Sequence, residues 1–228
     1  MKLSYYGHSC FGVELADGTH LLFDPFITAN ELAKGVDIER IPADYVLLTH
    51  GHFDHMADAE AILKRTGAKL IANFEIVSWY GEKGIENAHP LNAGGAFHFP
   101  FGRVKGVNAI HSSVLPDGTY GGGPMGFVVE AGGAAFYVSG DTALHMDMKL
   151  IGEHYPSLEF AVMCIGDNFT MGAEDAAIAA NWTNARTVVG VHYDTFPPIK
   201  IDKTAARQAF AQKGVELLLP NIGEMIAL

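Results

Sequence analysis

The chain has 228 residues, 49% of them hydrophobic and 18% charged, with a formal net charge of −11. That composition supplies a sizeable core and excludes a disordered chain, and no apolar run approaches the ~20 residues that span a bilayer. The basic residues are few and scattered, so the acidic balance argues against nucleic acid as the main partner, because a general nucleic-acid binder presents a basic patch.

The first quarter reads as short strands. "KLSYY", "CFGVEL" and "THLLFD" are β-like runs, and "ADGT" is a hairpin signal between the last two. "ADYVLLTH" is a near-continuous apolar run that leads into a His-rich segment. "ADAEAILKRTG" has helical periodicity and a Gly stop, "AKLIAN" reads as a strand and "FEIVSWYGEKG" as a short helix. The middle is all-β: "GAFHFPFGRVKGVNAIH", then "GFVVEAGGAAFYVSGD" with a Gly-Gly turn. Residues 112–124, "SSVLPDGTYGGGP", are a loop by their Gly and Pro content. After Asp141 helices and strands alternate: "MDMKLIGEHY" (helix), "LEFAVMCIG" (strand), "AEDAAIAANWTN" (helix), "TVVGVH" (strand), "KTAARQAFAQKG" (helix) and "VELLLP" (closing strand). No linker or charge run divides the chain, so residues 1–228 read as one α/β domain with mixed sheets and outer helices. The opening "MKLSYYGHSC" lacks the apolar region of a signal peptide, and a cytoplasmic protein is expected. Cys10 and Cys164 are the only cysteines; no CxxC pair exists, which leaves out thiolate zinc sites and makes a disulfide a poor expectation.

Residues 48–55, "LTHGHFDH", pack three histidines and an aspartate behind the apolar run. Three further runs end the same way: "VNAI" at His111, "FYVSG" at Asp141 and "VVGV" at His192. In α/β sheets ligands collect beyond the carboxyl ends of strands, so these ends point to one shared site. Neutral imidazole and carboxylate suit zinc, manganese or iron, with zinc the first expectation. His50 and His52 alternate and can point the same way, Gly51 permits a sharp backbone path, and Asp54 and His55 come from the next turn. Seven candidate ligands (His50, His52, Asp54, His55, His111, Asp141, His192) exceed what one tetrahedral ion takes and suit two, with one carboxylate bridging. His8, between two predicted strands, is expected to reach the mouth of the site and contact substrate. Asp24 and Asp167 end apolar runs and are candidates to receive the second N–H of a ligand histidine. His20, His89, His98, His145 and His154 are read as solvated or structural.

"THGHFDH", followed in order by His111, Asp141 in "SGDT" and His192, resembles the metallo-β-lactamase superfamily over nearly the whole chain. The resemblance implies a four-layer αβ/βα sandwich with metals at one edge of two mixed sheets. It implies His50, His52 and His111 on one ion, Asp54, His55 and His192 on the other, and Asp141 as the bridge. "YYGHSCF", "LLFDPF", "DNFTMGAEDA" and "GVHYDTFPPI" look like the compact metal-dependent hydrolases of that superfamily, the relatives of L-ascorbate-6-phosphate lactonase.

The chemistry expected is hydrolysis of a small ester, lactone or phosphodiester by a hydroxide held between the two ions, with Asp54 orienting it or shuttling its proton. No GxSxG elbow and no Walker loop offer another route. The Gly-rich loop is read as a flexible lid that, with Tyr120 and Tyr193 in "HYDTFPP", lines the cavity of a small-molecule substrate. Alternatives are a nuclease or cyclic-nucleotide phosphodiesterase, and a non-catalytic metal-binding module. Assembly into a homo-oligomer is left open.

Overall fold

In the computed structural model, which describes residues 1–155 and 157–228, the strand-forming runs fold into two seven-stranded sheets. The first half supplies β1 (Lys2–Gly7), β2 (Cys10–Glu14), β3 (His20–Phe23), β4 (Tyr45–Leu47), β5 (Lys69–Ala72) and β6 (Ala88–Pro90). The second half supplies β7 (Ala96–Phe99), β8 (Gly102–Asn108), β9 (Met125–Ala131), β10 (Ala134–Val138), β11 (Phe160–Cys164), β12 (Thr187–Val191) and β13 (Glu216–Leu218). The last strand, β14 (Met225–Ala227), crosses back to the first sheet, which runs β14-β1-β2-β3-β4-β5-β6; the second runs β13-β12-β11-β10-β9-β8-β7.

Each sheet is half antiparallel and half parallel. The pairings from β14 to β3 are antiparallel and those from β3 to β6 parallel. The pairings from β7 to β10 are antiparallel and those from β10 to β13 parallel. It follows that β1, β3 and β4 in one sheet, and β8, β10, β11 and β12 in the other, each point their carboxyl ends to one edge of their sheet.

Alternation along the strands builds the layers. Leu21, Phe23 and Leu47 point between the sheets and pack with Val104, Phe127, Phe136 and Val162 of the second sheet. Leu22, Val46 and Leu48 point outward against α2 (Ala59–Thr66) and α3 (Phe74–Gly81), through Ile62, Leu63, Ile76 and Tyr80. On the far side α4 (Met148–His154), α5 (Ala173–Trp182) and α6 (Lys203–Ala211) cover Val128, Ala161, Met163 and Val188. Both sheets are therefore covered on two faces, which is why the parallel strands read as apolar runs without alternation. The buried face of α5 is alanine (Ala176, Ala177, Ala179, Ala180), so its backbone lies close on the sheet.

The turns obey local chemistry. The β9–β10 hairpin turns at Gly132 and Gly133, with φ of 58° and 86°, the pair of positive angles a two-residue hairpin needs. Three features depart from the sequence reading. A one-turn helix, α1 (Phe53–Met56), forms inside the His-rich segment; our label α1 precedes α2 in the chain. The short strands β6 and β14 were not expected. β6 is "AHP", with an exposed proline that an edge strand tolerates, and β14 is three residues of which only Ile226 is partly covered. β6 carries no apolar pattern, and β14 is a run of three apolar residues, too short to read as a strand; each is an edge pairing on a neighbouring strand.

Candidate metal centre

The site grows from the strand ends at that edge. β1 ends at Gly7 and delivers His8; β3 delivers Asp24; β4 delivers Thr49 and His50. His8 (φ 53°), Asp24 (φ 41°) and, after β12, His192 (φ 58°) adopt the left-handed backbone conformation that side chains other than glycine's rarely take. Such strain persists where the surrounding fold over-determines it, and it concentrates at functional sites. His52 is the N-cap of α1, so Asp54 and His55 stand in its first turn, turned back toward the strand end.

These segments bring all seven expected donors together. His50, His52 and His111 form one group of mutually close ligand atoms; Asp54, His55 and His192, with His8, form a second; Asp141 groups with His50 and His55. Asp141 Oδ2 lies 3.9 Å from His50 Nε2, 3.6 Å from His111 Nε2, 3.3 Å from His55 Nε2 and 2.9 Å from His192 Nε2. One carboxylate oxygen thus faces imidazole nitrogens of both groups. His50, His55, Asp141 and His192 are buried, while His52, Asp54 and His111 are partly exposed.

Asp24 organises the first half of the site. Its Oδ2 accepts from His55 Nδ1 at 2.9 Å and from Thr49 Oγ1 at 2.7 Å, and Oδ1 accepts from the Thr49 amide at 2.9 Å. Thr49 Oγ1 in turn lies 2.9 Å from His50 Nδ1. With both hydrogens on Nδ1, the Nε2 lone pairs of His50 and His55 are free to face the site, the arrangement a ligand histidine needs. Asp24 so fulfils the orienting role expected of it. Asp167 does not touch a ligand; its Oδ1 accepts from the Asn168 amide and shapes a turn. Thr49 was missed, although it directly precedes His50 in the motif.

His8 sits deeper than the mouth position expected for it. Its ring has no exposed surface; Nε2 is 3.0 Å from Asp54 Oδ2 and Nδ1 is 2.8 Å from Thr195 Oγ1. It holds Asp54 from behind instead of facing solvent. Tyr193 is likewise in the core, 5% exposed and packed in the layer between the second sheet and its helices, so it does not line a cavity. Tyr120 is 69% exposed and pairs with Val114 across the loop. That loop is a fastened strap and not a free lid. Asn73 Nδ2 donates to the carbonyls of Gly121 and Gly123 at 2.7 and 3.1 Å, Trp79 Nε1 donates to Asp117 at 2.6 Å, and the Gly51 amide donates to Ser113 Oγ at 3.0 Å. Gly51 has no left-handed backbone; a Cβ there would meet Leu115 and Ser113 at 3.1 and 3.3 Å, so close approach of the strap explains the glycine.

The electrostatics follow from burial and pairing. Burial pushes His50 well below the ordinary histidine range, and His52 and His111 shift the same way for the same reason. His8 is lowered to about 4, chiefly by burial. For His55 burial opposes the charged form, but Asp141 and Asp24 outweigh it and raise the pKa. For Asp141 burial favours the acid, yet His192 and His55 hold the carboxyl well below its usual range. Burial also opposes ionisation of Asp54, and the hydrogen bond from His8 overcomes it.

The donor set fits metal ions. His55 Nε2 and Asp141 Oδ1 are buried with no hydrogen-bond partner, a costly condition that a cation beside them relieves.

A β-lactamase superfamily domain model matches residues 2–192. A UPF0173 metal-dependent hydrolase from Christiangramia forsetii is 53% identical, with 100% of each chain covered. One from Flavobacterium johnsoniae is 49% identical, again over 100% of both. The chain belongs to the metallo-β-lactamase superfamily. These metal-dependent hydrolase relatives are similar to it along the full length compared. Among solved structures, Igni18, a metallo hydrolase from Ignicoccus hospitalis, superposes with a TM-score of 0.89 at 35% identity, covering 99% of this chain and 97% of that one. In this chain the helices lie outside the two sheets and the imidazole cluster lies at the strand-end edge.

The remaining histidines stay outside the cluster. His20 lies beside Asp44 at 3.5 Å and His89 packs on Phe97. His145 and His154 line a separate cavity of about 460 Å³ between β8 and α4, which contains none of the seven donors.

Proposed function

We propose that this metal-dependent hydrolase works with two divalent ions, one held by His50, His52 and His111 and the other by Asp54, His55 and His192, with Asp141 shared. The observation that carries this reading is the position of Asp141 Oδ2, within 2.9–3.9 Å of imidazole nitrogens from both groups. A single ion with four protein donors would leave buried nitrogens or carboxylate oxygens unpaired, which is unfavourable. Nitrogen and oxygen donors without thiolate accommodate zinc, manganese or iron, zinc first.

Bound ions of this kind supply an activated water and polarise the carbonyl or phosphoryl group of a small ester, lactone or phosphodiester. The chain's own residues do the rest. Asp54 is the partly open carboxylate of the site, with its side chain 25% exposed, and it orients the attacking water and takes up its proton. His8, braced by Thr195, fixes that carboxylate so that one oxygen keeps a constant direction. Asp24 keeps His50 and His55 in the tautomer that leaves Nε2 free. Burial of His50, His52 and His111 keeps their rings neutral near pH 7, ready to bind a cation without losing a proton.

Elemental analysis of protein purified without chelator, combined with ion titration of the stripped protein, tests the reading. Two ions per chain and activity that returns with the second ion are expected. Saturation at one ion, or a folded metal-free preparation with full hydrolase activity, overturns it.

A further inference from the structure

We propose that the substrate of this site is an uncharged ester or lactone bearing an apolar group. The inference rests on the hydrolase reading above and narrows it. It starts from the segments at the strand-end edge: residues 5–11, 24–30, 49–62, 109–125, 139–148, 165–172 and 191–199. The chain has 15 lysines and arginines, and none of them falls in these seven segments. Three cations from elsewhere have partners of their own. Lys203 reaches the last segment but pairs with Asp194 at 3.2 Å and lies over the ring of the buried Tyr193. Arg103 bonds to Glu130, and Arg65 to the carbonyls of Ile38 and Ile41. Within these segments, bound metal ions would supply the positive charge that a substrate meets. Such ions would be engaged at the bond being cleaved, so a second anionic group on the substrate, a phosphate or carboxylate remote from that bond, would find no lysine or arginine in these segments. On a chain of formal net charge −11, it would also approach against repulsion.

The same segments present apolar surface. Beside Asp54 and His8, Phe26, Phe53 and Phe196 form an aromatic group, with Phe26 5.9 Å from Phe53 and 6.4 Å from Phe196 between ring centroids. Phe53 is 56% exposed although it stands between His52 and Asp54. Beside the other group of donors, Ile110 next to His111 is 52% exposed, and Tyr120 stands on the strap. Exposed apolar side chains directly flanking metal-type donors are unfavourable in water and become favourable when an apolar ligand covers them. The absence of cations and the presence of this apolar rim are independent observations, and they select the same chemistry. Sugar phosphates and nucleic acid fall outside it.

A matched pair tests this: 4-nitrophenyl hexanoate and mono-4-nitrophenyl adipate, which differ by a terminal carboxylate in place of a methyl group, with bis(4-nitrophenyl) phosphate as a third substrate. The metal-loaded protein should favour the hexanoate by about tenfold or more in kcat/KM over both others. Phe53→Lys and Ile110→Lys should narrow the gap to the adipate several-fold. A second measurement is independent of turnover. Saturation-transfer NMR should detect binding of 4-nitrophenyl hexyl ether and not of 6-(4-nitrophenoxy)hexanoate. Equal or better turnover of the adipate or the phosphodiester overturns the inference and leaves the hydrolase reading intact. Failure to turn over any of the three at full metal occupancy counts against the hydrolase reading itself. If the lysine variants dissociate an oligomer, seen by light scattering, while the preference is unchanged, the rim is an interface between subunits and the proposal falls.

Discussion

The two halves of the molecule build their shares of the site in opposite ways. The first half concentrates four donors between His50 and His55, on one strand end and one helical turn, and backs them with a single carboxylate, Asp24, that reaches His55 directly and His50 through Thr49. The second half contributes one donor at a time: His111 after β8, Asp141 after β10 and His192 after β12. The first arrangement is largely local, since neighbouring residues are held by their own turn. In the second, only the pairing of β8 through β12 fixes the three donors relative to one another. Yet Asp141, from the second half, is the group that faces both sets of imidazoles. A local cluster therefore offers ligands cheaply, while the distant half decides that they close into one centre.

The comparison breaks first at Asp141. Asp141→Ala should lower ion affinity by more than about a hundredfold, beyond the effect of losing an outer partner, and abolish turnover. Elemental analysis and an ester assay check this; undiminished metal binding would show that the local cluster suffices. Asp24→Asn keeps the size of the side chain but loses one of the acceptors shared by His55 and Thr49. An affinity loss of about 10–100-fold is expected, and because Asp24 reaches members of both groups, binding of the two ions proposed above should weaken together. Separate loss of one ion alone would show that Asp24 serves only His55.

The strap joins the halves, since Gly121 and Gly123 near its end accept from Asn73 of the first half. Gly122 has φ of 75°, and a Cβ there would sit 2.4 Å from Glu75 and 2.5 Å from Asn73. Gly122→Ala should cost about 1–3 kcal/mol in denaturant unfolding, through backbone strain and the clash. The smallest effect concerns the two cysteines, one in each half. Burial raises the pKa of Cys10 and of Cys164. A raised thiol pKa means less thiolate at any given pH, so neither should react with a thiol reagent in the native protein up to pH 8, and both should react on unfolding. Labelling of one alone would identify the half that opens first.

Much of this was legible because it is local. Apart from α1 and β6, strand, helix and turn positions from β1 to β13 follow apolar runs and their Gly stops, and Gly67, with φ of 69°, ends α2 where expected. Four donors, His50, His111, Asp141 and His192, were legible because each closes an apolar run, and His52, Asp54 and His55 because they crowd behind the first of those runs. The edge strands β6 and β14 were not, because their conformation is imposed by β5 and β1 and not by a pattern of their own. His8 and Tyr193 were misjudged for depth: each adjoins a strand end, and whether such a residue faces solvent or core depends on what packs above it.

By itself the sequence determined the donor types, their order and their strand-end positions, since these depend on composition and on periodicities of two and 3.6 residues. Only the tertiary structure decided that Asp141 lies between both imidazole groups, that His8 turns inward to Asp54, and that the Gly-rich strap is fastened. Those are distances between segments far apart in the chain, and they are set by sheet pairing and side-chain packing, which no local pattern encodes.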